Sequence, residues 1–117
     1  ENKQDYIDRA AARKKVHRAA WAAFKSSLSC VYCGYSHPQA LDFHHIIKTN
    51  HRKVHKLASD GSLKAAMDEI RKCICLCSNC HRVLHADSQF ERKVYARVEE
   101  LGLFSKDILL ALKDSVT

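Results

Sequence analysis

Two pairs of cysteines in this sequence have the spacing of metal-binding knuckles. Cys30 and Cys33 form one C-x-x-C pair, and Cys77 and Cys80 form a second. Two such pairs can place four thiolates around one Zn²⁺, each about 2.3 Å from the ion, in a closed tetrahedral site that stabilises the fold. The interval between the pairs is longer than in a simple zinc ribbon, so a folded insert is expected between them. A redox-active C-x-x-C pair and disulfide bonds are the alternatives.

A pair of adjacent histidines follows an acidic residue inside this insert. The segment LDFHH places Asp42 shortly before His44 and His45. Successive side chains of a strand point to opposite faces, so the two imidazoles of a strand would meet different surroundings. The pattern therefore predicts two separate roles for the two histidines.

The positive charge of the chain is concentrated in its first two thirds. The net charge is +7. Lys and Arg outnumber Asp and Glu by seven to three in residues 1–29 and by eight to four in residues 30–85, whereas residues 86–117 hold five against six. An anionic polymer such as nucleic acid would meet the first two segments. A basic surface that is only solvated and has no partner is the alternative.

The composition indicates one domain with a modest core. The chain has 117 residues, of which 46% are hydrophobic, and no apolar run approaches the length needed to cross a bilayer. Because the sequence also carries no secretory signal, we expect a cytoplasmic, intracellular protein with reduced thiols and no membrane partner.

The hydrophobic pattern predicts which elements hold these residues. Cys73 and Cys75 alternate with Cys77 in a short apolar segment, and we expect both to be small buried side chains rather than ligands. No internal repeat and no doubly wound α/β pattern occurs. The predicted elements are an amphipathic helix over 5–27, a strand over 40–47, a polar basic loop over 48–56, a helix over 62–71, a buried strand over 73–77, and helices over 78–85, 88–101 and 105–113.

Together, three segments of the chain resemble the HNH endonucleases. They are C-x-x-C at 30–33, LDFHHI at 41–46 and LCSNCHRVLH at 76–85. The resemblance implies an α+β fold with a ββα-metal core, in which a bent pair of strands and a helix hold one divalent ion and a four-cysteine zinc site braces them. Three parts follow: a basic N-terminal helix over 1–29, the HNH nuclease core with its zinc knuckles over 30–86, and a C-terminal helical extension over 87–117.

The resemblance also implies a role for each histidine of the matching segments. His44 matches the first ligand of the catalytic ion and His81 matches the second. His85, one helical turn later on the same face, could be a third. His45 matches the general base that removes a proton from the attacking water. Asp42 is expected to orient the site without touching the ion. The catalytic ion could be Mg²⁺, Mn²⁺, Ni²⁺ or Zn²⁺, since imidazole ligands shift the preference away from Mg²⁺.

One position departs from the family pattern. The middle Asn, nine residues before the helix histidine, is Lys72 here. In the family this Asn is associated with holding the loop of the base histidine. Lys72 could instead contact a phosphate, or support that loop through its backbone.

The implied activity is hydrolysis of phosphodiester bonds in double-stranded DNA, by nicking or by cutting both strands. Two alternatives stay open: a zinc-braced nucleic-acid-binding module without activity, and a nuclease subunit whose terminal helices dock a protein partner. The residues expected to meet DNA phosphates lie on the N-terminal helix and on the loop after the histidines: Arg9, Arg13, Lys14, Lys15, Arg18, Lys48, Arg52, Lys53 and Lys56.

Overall fold

A short antiparallel pair of strands lies at the centre of the fold, and helices surround it. The computed structural model describes the backbone of residues 2–116 and the side chains of residues 2–113, so the outermost positions of the predicted N- and C-terminal parts, 1 and 117, lie outside it. In chain order the elements are α1 (Lys3–Ser26), a 3₁₀ turn (Pro38–Ala40), β1 (Leu41–His45), α2 (Val54–Ser59), α3 (Leu63–Ile70), β2 (Cys73–Cys77), α4 (Ser78–Ala86), α5 (Ser88–Glu100) and α6 (Lys106–Val116). The predicted combination of helices with a small antiparallel sheet is confirmed.

The register of the two strands fixes where the cysteines and histidines lie. Leu41 pairs with Cys77 at one end of the sheet, and His45 pairs with Cys73 at the other. β2 passes directly into α4 without a loop, because Cys77 serves as the N-cap and its sulfur accepts a hydrogen bond from the backbone N–H of Cys80. The second cysteine knuckle is therefore held rigidly against the start of β1.

Two apolar clusters lie against the sheet. The larger one joins the sheet to α4 and α5, and the smaller one joins it to α2, α3 and the C-terminal part of α1. Side chains of β2 take part in both, since Leu76 is buried in the first cluster and Cys73 in the second. The two-stranded sheet thus packs against both clusters, which restricts the directions its side chains can take.

The first helix contacts the body through the C-terminal half of its length. Trp21 packs on the smaller cluster, with its ring centroid 5.9 Å from that of Phe43, and His17 Nδ1 lies 2.7 Å from the carbonyl oxygen of Gly61. A helix of 24 residues is about 36 Å long. Most of its length is exposed, and Tyr6 and Val16 are 62% and 65% exposed.

The segment after the histidines contains a helix that the sequence did not predict. Residues 48–56 were expected to be a basic loop, whereas α2 begins at Val54. The helix is only six residues long, and its apolar positions Val54, Leu57 and Ala58 stand among lysines, so no periodicity distinguishes it from a loop. Burial of these three side chains against α3 stabilises it instead.

Candidate metal centres

The four knuckle cysteines lie around one point. The sulfur atoms of Cys30, Cys33, Cys77 and Cys80 are all within 4.8 Å of one another, and those of Cys33 and Cys77 are 3.6 Å apart. A tetrahedral ion with bonds of about 2.3 Å to sulfur separates its ligands by about 3.8 Å. A disulfide would require about 2.05 Å, and all six cysteines of the chain are free thiols. The cluster is therefore compatible with zinc, and the disulfide alternative is wrong.

Backbone N–H groups stabilise negative charge on the two knuckles. The N–H of Cys33 donates to Cys30 Sγ at 3.5 Å, and that of Cys80 donates to Cys77 Sγ at 3.4 Å. Burial raises the pKa of Cys30, but backbone hydrogen bonds from Cys33, Cys77 and Tyr32 together outweigh burial and lower this pKa to about 7. Burial and the neighbouring sulfurs raise the pKa of Cys80. Four adjacent sulfurs cannot all ionise without a cation, whereas a divalent ion would make all four ionise together.

The other two cysteines lie outside this cluster. Burial raises the pKa of Cys73 to about 12 and that of Cys75 to about 11, so both thiols stay protonated at neutral pH. Cys73 belongs to the smaller apolar cluster, and Cys75 packs on the larger one. This packing agrees with the prediction that Cys73 and Cys75 are small apolar side chains rather than metal ligands.

Three imidazoles form a second cluster, at the junction of β1 and α4. His44 Nδ1 lies 3.3 Å from His81 Nε2, and His85 Nε2 lies 3.1 Å from the same atom. Two nitrogens bound to one ion at about 2.1 Å are about 3.0 Å apart in octahedral geometry and about 3.4 Å apart in tetrahedral geometry. The observed distances fall in this interval, so the three histidines could hold a metal ion. His81 and His85 meet because they are four residues apart on α4.

The outer nitrogens of this cluster have oxygen partners. Asp42 Oδ2 lies 3.2 Å from His81 Nδ1, and since a carboxylate only accepts, His81 carries its proton on Nδ1 and presents a lone pair on Nε2. The hydroxyl of Tyr95, from α5, lies 2.9 Å from His44 Nε2. Partners of this kind hold metal-binding imidazoles in the correct tautomer and orientation.

His44 is the most buried of the three imidazoles. It is 4% exposed, and burial together with the neighbouring His81 and His85 lowers its pKa to about 4. It is therefore neutral at pH 7, as a metal ligand must be. Burial and Glu91 raise the pKa of Tyr95 to about 12, so its hydroxyl also keeps its proton.

His45 turns away from this cluster, as the alternation of a strand requires. Its Nε2 lies 2.8 Å from Oε2 of Glu69, on α3, and its ring centroid lies 5.0 Å from that of His51. The adjacent histidines thus contact different groups, one among imidazoles and one beside a carboxylate. His45 remains half-buried at the end of β1.

Lys72 supports the segment after His45 through its backbone and also contacts Glu69. Its carbonyl oxygen accepts from the N–H groups of Ile46 at 2.8 Å and Ile47 at 3.2 Å. Its ammonium lies 3.2 Å from Glu69 Oε1. A backbone carbonyl performs this support whatever the side chain, so Asn is not required at position 72 for the loop to be held.

The basic residues predicted to meet DNA are on the surface but in two separate groups. Arg9, Arg13, Lys14, Lys15 and Arg18 are exposed along α1, and Lys48, Arg52, Lys53 and Lys56 are exposed around the start of α2. Arg52 also donates its backbone N–H to Glu69 at 2.9 Å. Arg52 of the second group therefore shares the carboxylate of Glu69 with His45.

Two residues of these sites were missed by sequence reasoning. In the sequence, Glu69 is one of several charged residues of a predicted helix. Tyr95 is an aromatic residue of a predicted helix that lies outside the segments resembling the HNH family. A weak signal existed for Glu69, because its position on α3 is on the buried side of that helix together with Ala66. No sequence signal connects Tyr95 to His44.

Comparisons with protein-family models, with curated proteins and with solved structures find no match to this chain. Among the described residues, no helix is both long and apolar enough to span a membrane.

Replacing Cys77 by Ser should unfold or strongly destabilise the protein, because the four-thiolate site supplies stability that a core of this size lacks. Purified protein should contain about one tightly bound zinc per chain, a stoichiometry that follows from one four-ligand site. Elemental analysis and thermal unfolding with and without a chelator measure both. Cys75→Ser is the matched control and should keep the zinc. Zinc-free protein that is fully folded would contradict this assignment.

Proposed function

We propose that this protein is a metal-dependent endonuclease of the HNH type that hydrolyses phosphodiester bonds of double-stranded DNA. The observation that carries the proposal is the division of the two adjacent histidines, His44 into a cluster of three imidazoles and His45 against a carboxylate. The order of β1, β2 and α4, with the four cysteines at their base, fits a zinc-braced ββα-metal core.

The chemistry needs a base and a cation at neighbouring positions. A divalent ion held by His44 Nδ1, His81 Nε2 and His85 Nε2 would supply the charge that stabilises the phosphate and the leaving oxygen. His45 acts as the general base. If both adjacent histidines bound the ion, no base would remain, so their opposite directions favour this division of roles.

The ligand set bears on the identity of the ion. Three imidazoles suit Mn²⁺, Ni²⁺ or Zn²⁺ better than Mg²⁺, which prefers oxygen ligands. Oxygen atoms of the substrate phosphate and of water would complete the coordination, because His81 and His85 are accessible at the surface.

The two basic groups support DNA as the substrate. Arg52 shares a carboxylate with His45, so the exposed group around α2 would hold the phosphates flanking the scissile bond, and the α1 group would extend the contact along the duplex. A contact to phosphates fixes position without reading sequence, so this surface favours binding to many sequences alike.

A nuclease subunit within a larger assembly is a second candidate, and exposed apolar side chains favour it. Tyr6 and Val16 on α1, and Leu109 and Leu110 on α6, are each more than half exposed. Side chains of this kind on the terminal helices are suited to a protein partner.

Replacing His45 by Ala should lower nicking of supercoiled plasmid by about 10²- to 10⁴-fold, the usual cost of losing a general base. Zinc content and DNA affinity should stay nearly unchanged, because His45 belongs to neither ligand cluster. The assay is run with EDTA and with several added divalent ions. His37→Ala, which changes an exposed histidine, is the control. Activity within about threefold of wild type would remove His45 from the mechanism.

Replacing Tyr95 by Phe should weaken binding of the catalytic ion by about 10-fold, because loss of an outer hydrogen-bond partner frees the ring of His44. Calorimetric titration of zinc-loaded protein with Mn²⁺ or Ni²⁺ measures this affinity. Tyr6→Phe, an exposed tyrosine on α1, should bind like wild type. An unchanged affinity in Tyr95→Phe would show that the hydroxyl does not orient His44.

Changing Arg13, Lys14 and Lys15 together to Ala should flatten the salt dependence of DNA binding by about two to three units of log–log slope, since each phosphate contact contributes about −0.9. Affinity for all sequences should fall alike, and cleavage at saturating DNA should change little. Arg92, Lys93 and Lys106, changed together to Ala, remove the same charge from the segment without positive excess and control for net charge. If the two triple variants have the same slope, α1 does not lie along DNA.

A further inference from the structure

A buried carboxylate lies against the proposed base and belongs to none of the sites predicted from the sequence. Glu69 is 5% exposed, and its charge is surrounded by donors. Its Oε2 accepts from His45 Nε2 at 2.8 Å and from the backbone N–H of Arg52 at 2.9 Å, and its Oε1 lies 3.2 Å from Lys72 Nζ. Both oxygens are therefore engaged.

The contacts keep this carboxylate ionised inside the protein. Burial raises the pKa of Glu69, but the hydrogen bonds from Arg52, His45 and Lys72 outweigh burial and hold the pKa below its ordinary value. Lys72 thus compensates a charge that would otherwise be costly to bury.

The direction of the hydrogen bond decides which nitrogen of His45 is free. An ionised carboxylate has no proton to donate, so His45 Nε2 must be the donor. In the neutral ring the proton is then on Nε2, and the lone pair is on Nδ1. In the opposite tautomer, the lone pair of Nε2 would face the negatively charged carboxylate oxygen. Two acceptors cannot form a hydrogen bond, so this tautomer is disfavoured.

We infer that Glu69 is the positioning residue of the proposed base: it holds the ring of His45 and keeps the Nδ1 lone pair available for the attacking water. This inference rests on the proposed function. Glu69, Lys72 and the backbone of Arg52 together take the place of the family's Asn brace, with Lys72 also holding Ile46 and Ile47 through its carbonyl.

The step in which this geometry acts is balanced within the site. Nδ1 of His45 takes a proton from water, and the oxygen attacks phosphorus with the electron pair of the broken O–H bond. The bond from phosphorus to the 3′ oxygen breaks, and that oxygen leaves with its electron pair and takes a proton from solvent. The imidazolium so formed faces the carboxylate of Glu69, which stabilises its charge as the acidic residue of a Ser-His-Asp triad does.

The test is Glu69→Gln, which keeps the shape and removes the charge. An amide can donate to Nε2 and so favours the opposite tautomer, which in comparable sites lowers turnover by about 10⁴-fold. We expect kcat for plasmid nicking to fall by about 10²- to 10⁴-fold, while KM for DNA and zinc content stay within about threefold of wild type. Asp68→Asn, the exposed carboxylate next to it on α3, removes the same charge and should leave kcat unchanged.

A second measurement is independent of cleavage and needs no variant. Nitrogen-15 spectra of the His45 ring, recorded at about pH 9 where imidazoles are neutral, distinguish the two tautomers. We expect a proton on Nε2 in wild type and a shift toward Nδ1 in Glu69→Gln. A wild-type ring protonated on Nδ1 would overturn the inference even if the variant does not fold.

The outcomes separate this inference from the proposed function. Wild type that cleaves, with a Glu69→Gln variant of equal kcat, would overturn the role of Glu69 alone. Wild type that cleaves equally well in EDTA, or that cleaves with none of the added divalent ions, would overturn the proposed function. In that case the ring spectra still decide whether Glu69 holds His45.

Discussion

The register of β1 against β2 is the constraint on which both candidate sites depend. The pairing of Leu41 with Cys77 places the second cysteine knuckle at the start of β1, and the N–H of Val31 donates to the carbonyl of Cys75, which holds the first knuckle on β2. The pairing of His45 with Cys73 ends the sheet beside α3 and Glu69. A slip of one residue would reverse every side chain of β1, exchanging the directions of His44 and His45. Two strands are marginal alone, so the two apolar clusters that pack on the sheet, and the four-cysteine cluster at one end, must hold this register.

The sequence predicted the parts of these sites that have a local pattern. C-x-x-C spacing and the four-residue interval from His81 to His85 are set by backbone geometry, and the structure has both groups close together. The partners of the histidines could not be predicted in the same way. Glu69 and Tyr95 reach His45 and His44 from helices that are 24 and 51 residues away along the chain, and only tertiary packing decides such contacts.

The fold was predictable to a similar degree and for a similar reason. Elements with a strong period or a clear cap, such as β2 and α4, lie where the sequence indicated. α2 was missed because six residues hold too few apolar positions to show a period, although burial of Val54 and Leu57 makes it helical. For α1 the helix was predicted, but its apolar side chains were only a partial guide to packing, since Trp21 reaches the smaller cluster whereas Tyr6 and Val16 are exposed.

The C-terminal helices belong to the candidate site more closely than the resemblance suggested. α5 buries Val94 and Val98 in the same cluster as Leu84 of α4, and Tyr95 lies between them on the side that faces His44. The ring of Phe104 in turn lies 6.4 Å from that of Tyr95. The packing of α5 holds the hydroxyl of Tyr95 at 2.9 Å from His44 Nε2. The orientation of the His44 ring therefore depends on residues beyond position 86. A core truncated at that position would keep all three imidazoles and all four thiols but lose the group that turns His44 Nδ1 toward His81.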